Sequence, residues 1–243
     1  MLFFYMNPIL IAAAVIPAIF LLVKVYQADR LEKEPPGLLI SLVLYGILAT
    51  GFAMVTERFG SFLLKRYFSS NILVYNILMY FVVVAVSEEG FKYLLLKWRT
   101  WRSPFFNCQF DGVVYAVFVS LGFALWENIG YVIRYGLGTA LVRAVTAVPG
   151  HACFGVFMGT WYGIAKKYEG YSMQGKSRLC RIFAFLLPTL LHGCYDFIAS
   201  YQHLHYAWVF VAFIVVLFVI AFILIKKMSL HDQYINNNSF FYD

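Results

Sequence analysis

The chain has 243 residues, of which 62% are hydrophobic and only 13% are charged. Its apolar residues form long runs rather than short amphipathic patterns, which excludes an ordinary soluble domain and predicts a polytopic membrane protein. The formal net charge of +7 is scattered between hydrophobic segments, without a basic arm, so nucleic acid is not expected as a partner. The four cysteines form no CxxC pair, so neither a disulfide framework nor a thiolate metal site is expected.

Seven windows of the sequence are long and apolar enough to cross a bilayer, which takes about 20 residues. The expected fold is therefore all-α, a transmembrane bundle of about seven and at most eight helices. The first window lacks the basic start and the small-residue cleavage site of a signal peptide, and we interpret it as a retained span. Pro35 and Pro36 are expected to end one helix and start the next. The predicted spans cover residues 3–24, 38–57, 72–97, 112–134, 145–165, 181–201 and 206–226, with the region 136–149 the least defined.

The positions of lysine and arginine predict the orientation, because short cytoplasmic loops retain positive charge. With the N-terminus outside and the C-terminus in the cytoplasm, 13 of the 19 basic residues fall on the cytoplasmic side. Residues 1–227 are expected to form a single transmembrane domain, followed by a polar, poorly ordered tail at 228–243. The basic residues assigned to the outer side are Arg58, Lys65, Arg66, Arg134 and Arg143, while Lys92 lies inside a span.

Three ionisable residues, Glu88, Glu89 and Lys92, interrupt the apolar run VVVAVSEEGFKYLLL of the third span. An ionisable side chain at a helix centre costs about 2.5–3.5 kcal/mol on insertion scales, so such groups face the protein interior and mark functional sites. Lys92 can reach both glutamates at i+3 and i+4. One lysine cannot neutralise two carboxylates, and the adjacent pair favours acid–base chemistry over a purely structural salt bridge.

Later spans supply further polar residues at similar depth. Glu127 lies in LGFALWENIGY of the fourth span, and His151 lies in VPGHACFGVF at the start of the fifth. His192 and Asp196 are four residues apart in the sixth span, which places both on one helix face. Each alone is compatible with a hydrogen bond between helices. His151 reaches the depth of the others only if its helix begins before Pro149.

The four acids in these spans outnumber Lys92, leaving a formal charge of −3 with neutral histidines. A low-dielectric site does not hold that charge unaided, so either carboxylates are protonated or a divalent cation is bound. Histidine and carboxylate ligands suit zinc. His151, His192 and Asp196 are the candidate metal ligands, and Asp196 can alternatively orient the imidazole of His192.

Four motifs follow one another on successive spans: Glu88-Glu89-x-x-Lys92, Phe123-x-x-x-Glu127, His151-x-x-x-Gly155 and His192-x-x-x-Asp196. In this order they resemble the motifs of the PrsW family of intramembrane proteases, which is related to the CAAX prenyl endopeptidases and bacteriocin-processing membrane proteases. The resemblance covers residues 88–196 and implies a protease of the bacterial inner membrane that cleaves a membrane-anchored anti-sigma factor in a stress-response cascade. It also implies a catalytic centre of Glu88, Glu89 and His192. The wider group usually has histidine at the position of Glu127.

The mechanistic hypothesis is that Glu89, helped by Glu88, activates a water held by His192. Lys92, Glu127 and Asp196 are expected to support this site. Zinc is the expected cofactor, and metal-free glutamate catalysis is the alternative. A protein substrate and the lipid bilayer are the expected partners. Two other functions remain open: a zinc hydrolase of lipid amides, and an ion-coupled transporter in which the same residues relay protons or cations.

Overall fold

The computed structural model of the chain describes residues 8–68, 70–201 and 204–235. Nine α-helices follow one another within these residues, and a π-helical segment, Leu78–Val84, joins the third to the fourth. No strand is present in the described part, where one isolated β-bridge occurs. The helices are α1 (Pro8–Ala28), α2 (Pro36–Phe68), α3 (Ile72–Ile77), α4 (Ala85–Thr100), α5 (Asp111–Tyr135), α6 (Leu137–Val145), α7 (Ala147–Gly170), α8 (Gln174–Ala199) and α9 (Leu204–Leu230).

Seven helical segments of the described residues are long and apolar enough to span a membrane, which confirms the all-α, seven-span prediction. Large apolar side chains also cover the outside of the bundle; Trp208 is 70% exposed and Phe222 is 68% exposed. Lipid rather than water is the solvent that such a surface requires. The chain is therefore a multi-pass membrane protein.

Several helix ends differ from the predicted span limits. The second helix continues to Phe68 instead of ending near residue 57, and the sixth span begins at Gln174 instead of 181. A basic residue does not stop a helix, and its long side chain can reach the polar interface from a helix end. Arg58, Lys65 and Arg66 accordingly belong to α2 and not to a loop.

The proline pair starts a helix as predicted, because α2 begins at Pro36, but it does not end the preceding one, because α1 already ends at Ala28. The poorly defined region 136–149 contains α6 and the start of α7, separated by a break at Thr146. Because α7 begins at Ala147, His151 lies inside a helix, as its proposed depth requires.

Helix α5 is the centre of the bundle and packs most extensively against α7 and α2. Small residues allow this contact: a Cβ atom added to Gly159 would lie 2.4 Å from the Gly112 carbonyl oxygen. Likewise, a Cβ atom on Gly46 of α2 would lie 2.1 Å from the Val119 carbonyl oxygen of α5. Glycine at such crossings lets helix backbones touch. These crossings fix the helices that carry the polar residues of the interior.

The segment that follows α9 is hydrogen-bonded to the loop that precedes α5. The backbone N–H of Ile235 donates to the Asn107 carbonyl over 2.6 Å, and that of Gln109 donates to the Gln233 carbonyl over 3.1 Å. The expected poorly ordered tail is therefore wrong for residues 228–235. Residues 236–243 of that tail, and residues 3–7 of the first predicted span, lie outside the described residues.

Candidate active site

The polar group in the third span sits just after the π-helical segment Leu78–Val84. Glu88, Glu89 and Lys92 occupy the first two turns of α4, and all three are buried. π-Helical segments commonly occur at functional sites, where the extra residue per turn re-aims the side chains that follow. Here the segment also brings Phe81 against Gly193, where an added Cβ atom would lie 2.4 Å from the phenyl ring.

Lys92 is the central cation of the site. Its Nζ lies 2.8 Å from Glu89 Oε1 and 3.4 Å from Glu88 Oε2, as the i+3 and i+4 spacing predicts. The same atom lies 3.0 Å from His151 Nδ1 of α7 and 4.0 Å from the ring centroid of Phe123. Lys92 is fully buried. Its charge is thus placed to offset the adjacent carboxylates, at the cost of removing the ammonium group from water.

His192 of α8 connects to both glutamates of α4. Its Nδ1 lies 2.8 Å from Glu89 Oε1, and its Nε2 lies 3.8 Å from Glu88 Oε2 and 3.4 Å from Asp196 Oδ2. Phe154 of α7 stacks on the imidazole with a ring-centroid distance of 4.8 Å. The ring is therefore fixed in position and in orientation.

His151 of α7 extends the polar group towards α5 and α6. Its Nε2 lies 3.1 Å from Glu127 Oε2, and that oxygen also accepts a 2.7 Å hydrogen bond from Arg143 Nη2. Arg143 Nε donates to Asn128 Oδ1 over 2.9 Å, and Asn128 Nδ2 donates to the Ala14 carbonyl of α1. Four helices thus hold His151 and Glu127 in one connected network.

Four side chains form a cluster that can hold a metal ion: Glu88, Glu89, His151 and His192 each offer one ligand atom, and these atoms lie within 4.8 Å of one another. All four residues are buried, and among the described residues Glu89 Oε2 has no hydrogen-bond partner. Two carboxylates and two imidazoles are a donor set that zinc and similar divalent metals accept. The residues present therefore fit a divalent metal.

A cavity of about 480 Å³ opens next to this cluster, between α2, the π-helical segment and α5. Glu88 and Glu127 are on its wall, together with Phe123. Glu89 is 0% exposed, whereas Glu88 is 5% exposed. A ligand or a water molecule that enters the cavity therefore meets Glu88 first, and Glu89 lies behind it.

The residues predicted from the sequence come together at this place, except that Asp196 lies at the edge of the group and not among the side chains that can hold a metal. Glu88, Glu89, Lys92, His151 and His192 are in mutual contact, and Glu127 joins them through His151. The remaining predicted residue, Asp196, touches the cluster at its edge. Its side chain is 24% exposed and contacts His192 alone among the clustered groups.

Two functional candidates were missed by sequence reasoning. The sequence predicts Arg143 on the outer side, between two spans, but Arg143 lies in α6 and pairs with Glu127. Glu57 is the last residue of the predicted second span, and the structure places it on the cavity wall. A signal existed for both: Glu57 is an acid inside the apolar run of α2, and Arg143 lies 16 residues after Glu127, as a short helical hairpin requires.

A bundle of seven membrane-spanning helices that buries paired glutamates, a lysine and two histidines beside a cavity offers the acid–base groups and metal ligands that a membrane-embedded, metal-dependent hydrolase needs. Comparison with known families agrees. Residues 34–225 match the model of the PrsW family intramembrane metalloproteases, and the chain belongs to this family. It is therefore a protease.

Curated relatives support the assignment. The chain is 33% identical to "Protease PrsW" of Halalkalibacterium halodurans, over 92% of this chain and 97% of the relative. It is 33% identical to the Oceanobacillus iheyensis protein of the same name over 90% of this chain and 96% of the relative. The Bacillus subtilis protein of that name is 31% identical, over 79% of this chain and 83% of the relative. No solved structure matches the chain.

Proposed function

We propose that the buried Glu/His cluster hydrolyses a peptide bond in a membrane-anchored protein. The observation that carries this proposal is the meeting of Glu88, Glu89, His151 and His192 from three helices at one point beside a cavity. Burying several ionisable groups in a membrane bundle is costly, and a structural salt bridge needs only two of them. A catalytic site accounts for the ionisable groups beyond those two.

Within this proposal, Glu88 is the general base. Its carboxylate lies on the cavity wall, where a water and the scissile carbonyl can approach, and its Oε2 is 3.8 Å from His192 Nε2. Glu89 Oε1 is instead held by Lys92 and His192 at 2.8 Å each. This geometry favours a positioning role for Glu89, which exchanges the roles that sequence reasoning gave to the two glutamates.

A divalent metal, with zinc as the proposed ion, would be held by Glu89, His151 and His192, which leaves the Glu88 carboxylate on the cavity wall free to act as the base. When bound, it supplies Lewis-acid polarisation of the carbonyl and acidifies a water. The chain's own residues prepare the site: Arg143 and Glu127 orient His151, and Asp196 and Phe154 orient His192. Lys92 offsets the carboxylate charge and, as a donor, can stabilise an oxyanion.

The proposed substrate is a membrane-anchored anti-sigma factor, as the family resemblance implies, and the proposed location is the bacterial inner membrane with the N-terminus outside. Under that orientation the later turns of α2 and α5 face the extracytoplasmic side. The cavity is lined there by Arg58 and Arg134. A substrate cut near that face would enter by this route.

The test uses the purified full chain in proteoliposomes with a single-span membrane protein that carries an extracytoplasmic domain. Cleavage is followed by mass spectrometry of both products. We expect Glu88→Gln to reduce cleavage at least about 100-fold, the loss typical of removing a general base. Glu169→Gln, which changes an acid at the far end of α7, should cleave at the parental rate.

The result also separates the proposal from its rivals. Products that are peptides with a defined new terminus support a protease, whereas release of a fatty acid from a lipid amide would support the lipid hydrolase. Parental cleavage by Glu88→Gln would contradict the role of Glu88. Ion flux that depends on Glu88 without any cleavage would support a transporter.

A further inference from the structure

A second group of carboxylates lies at the opposite end of the bundle from the cavity. Asp29 and Glu34 are in the link between α1 and α2, Asp111 begins α5, and Asp232 follows α9. Asp29 and Glu34 are each 2% exposed, and Asp111 is 0% exposed. The proteolytic site uses none of these residues.

Six oxygen atoms of this group are buried without a hydrogen-bond partner among the described residues. They are both carboxylate oxygens of Asp29, both of Glu34, Oδ1 of Asp111 and Oδ2 of Asp232. A buried polar atom left without a partner costs free energy, and native proteins keep few of them. Six in one group are satisfied either by protons shared between the acids, since Glu34 lies within hydrogen-bond reach of Asp111, or by an occupant that is not a protein atom.

The carboxylates are fixed by hydrogen bonds to their other oxygens. Asp111 Oδ2 accepts from the backbone N–H of Cys108 over 2.7 Å and of Asn107 over 3.1 Å. Asp232 Oδ1 accepts from the Phe110 N–H over 2.8 Å. In each of these two aspartates, one carboxylate oxygen is fixed by backbone N–H groups and the other is left available to a ligand. Metal-binding carboxylates are commonly held in place by such additional hydrogen bonds.

Among the described residues, no basic side chain is recorded in an ion pair with these carboxylates. The charge of Lys33 acts on Asp29 and opposes the rise of its pKa, but Lys33 Nζ donates to the main-chain carbonyls of Tyr26 and Asp29. Burial, reinforced by repulsion from Asp232 and Glu32, raises the pKa of Asp29 to about 6. Burial and the nearby Asp29 also raise the pKa of Glu34 to about 7.

We propose that Asp29, Glu34, Asp111 and Asp232 form a binding site for a hard divalent cation, Mg²⁺. The donor set is entirely oxygen, which magnesium and calcium prefer, and it lacks the histidine that favours zinc. Magnesium usually keeps several water ligands and binds directly through one or two carboxylates. The other carboxylates of the group then accept hydrogen bonds from the bound water.

The site joins three separate parts of the chain. The α1–α2 link, the start of α5 and the segment after α9 each contribute a carboxylate to the group, and the backbone bonds of Asn107 and Gln109 already hold the last two segments together. Bound Mg²⁺ ties the C-terminal segment to the bundle and stabilises the folded state by mass action. This role is independent of protease activity.

The experiment measures thermal unfolding of the detergent-purified full chain by tryptophan fluorescence, after EDTA treatment and with added MgCl₂. A concentration about ten times the dissociation constant should raise Tm by roughly 3–6 °C. The double variant Asp29→Asn/Glu34→Gln should lose this shift, yet be at least as stable as the parent in EDTA because repulsion is relieved. His192→Ala, which changes the proteolytic site, should keep the shift.

Mn²⁺ provides a direct count by electron paramagnetic resonance. On the His192→Ala background we expect one bound Mn²⁺ per chain, displaced by Mg²⁺ and absent when Asp29→Asn/Glu34→Gln is added. A parent chain with no Mg²⁺-dependent shift, or a double variant with the parental shift and the parental Mn²⁺ count, would overturn the proposal. Stabilisation by acid alone, with no response to Mg²⁺, would mean that protons occupy the group and would also overturn it.

Discussion

Glu89 and His192 are joined by a 2.8 Å hydrogen bond between Oε1 and Nδ1, although 103 residues separate them in the chain. The same oxygen lies 2.8 Å from Lys92 Nζ. One carboxylate oxygen therefore fixes the imidazole of α8 against α4 and partners the buried ammonium group. The site depends on this atom for its geometry as well as for its charge.

Glu88→Gln and Glu89→Gln should both abolish cleavage, but they should differ in stability. Glu89→Gln removes the charge next to fully buried Lys92 and weakens the bond to His192, so we expect a loss of about 1.5–3 kcal/mol. Glu88 is 3.4 Å from Lys92 and lines the cavity, so its replacement should leave Tm nearly unchanged. Thermal unfolding of both variants in one detergent checks the difference; equal Tm values would contradict it.

Lys92→Met should abolish cleavage and destabilise the protein, because Glu88 and Glu89 lose their cation in a buried site. Breaking a buried ion pair by removing one partner typically costs about 3–5 kcal/mol. Adding Glu89→Gln to Lys92→Met should restore part of the lost stability while cleavage stays absent. Tm and product yield are measured together. If the double variant were less stable than Lys92→Met, the charge-compensating role of Lys92 would be refuted.

Arg143→Ala should impair the site without touching the catalytic glutamates. Arg143 donates to Glu127 and Asn128, so its loss leaves the buried Asn128 Oδ1 without this donor and Glu127 Oε2 with His151 alone, at a cost of about 1–3 kcal/mol. His151, which contacts Glu127, should become less well fixed, and kcat should fall more than KM rises. Arg102→Ala, on an exposed loop position, is the matched control. Identical kinetics for the two variants would show that the Glu127 network has no positioning role.

The crossing of α5 and α7 should tolerate no added methyl group. Gly159→Ala would place its Cβ 2.4 Å from the Gly112 carbonyl and from the Val113 Cα, so the helices must separate. We expect a loss of at least about 2 kcal/mol, within the usual range for overpacking. Gly138→Ala in α6, where nothing lies within 4 Å of the new Cβ, should be neutral. Thermal unfolding distinguishes them, and equal Tm values would contradict the close-contact argument.

The span pattern was predictable because the cost of leaving apolar side chains in water, or polar ones in lipid, is read directly from the sequence. The fold class and the depth of Glu88, Glu89 and His192 follow from that pattern. Their mutual contacts do not, since depth fixes a position along the membrane normal but not which helices are neighbours. The contact between Lys92 and His151 is of this kind.

Other features depend on local backbone geometry that composition does not encode. The π-helical segment Leu78–Val84 looks like any apolar span in sequence, yet it leads directly into the first turn of α4 and places Phe81 against Gly193 of α8. Arg143 was misplaced because hydropathy alone does not distinguish a short amphipathic helix such as α6 from a loop. The N-out orientation, which rests on the positions of the basic residues, stays a prediction.

Stability should depend on pH through the carboxylates outside the membrane. Burial raises the pKa of Glu34 from 4.5 to about 7, so the folded state binds a proton more tightly than the unfolded chain does. This contribution is fully present below pH 4.5 and is lost as the pH rises through about 7. In EDTA, Tm should therefore fall between pH 5 and pH 8, and Glu34→Gln should flatten the profile. A parental profile in the variant would contradict the assignment.

The central claim is that Glu88, Glu89, His151 and His192 form a metal-binding catalytic centre, and metal content tests it most directly. Elemental mass spectrometry of the detergent-purified parent chain, beside His192→Ala, should give about one zinc per chain in the parent and almost none in the variant. The parent should also lose cleavage when zinc is removed and regain it when zinc is restored. A parent preparation that cleaves its substrate at full rate without bound metal would contradict the claim.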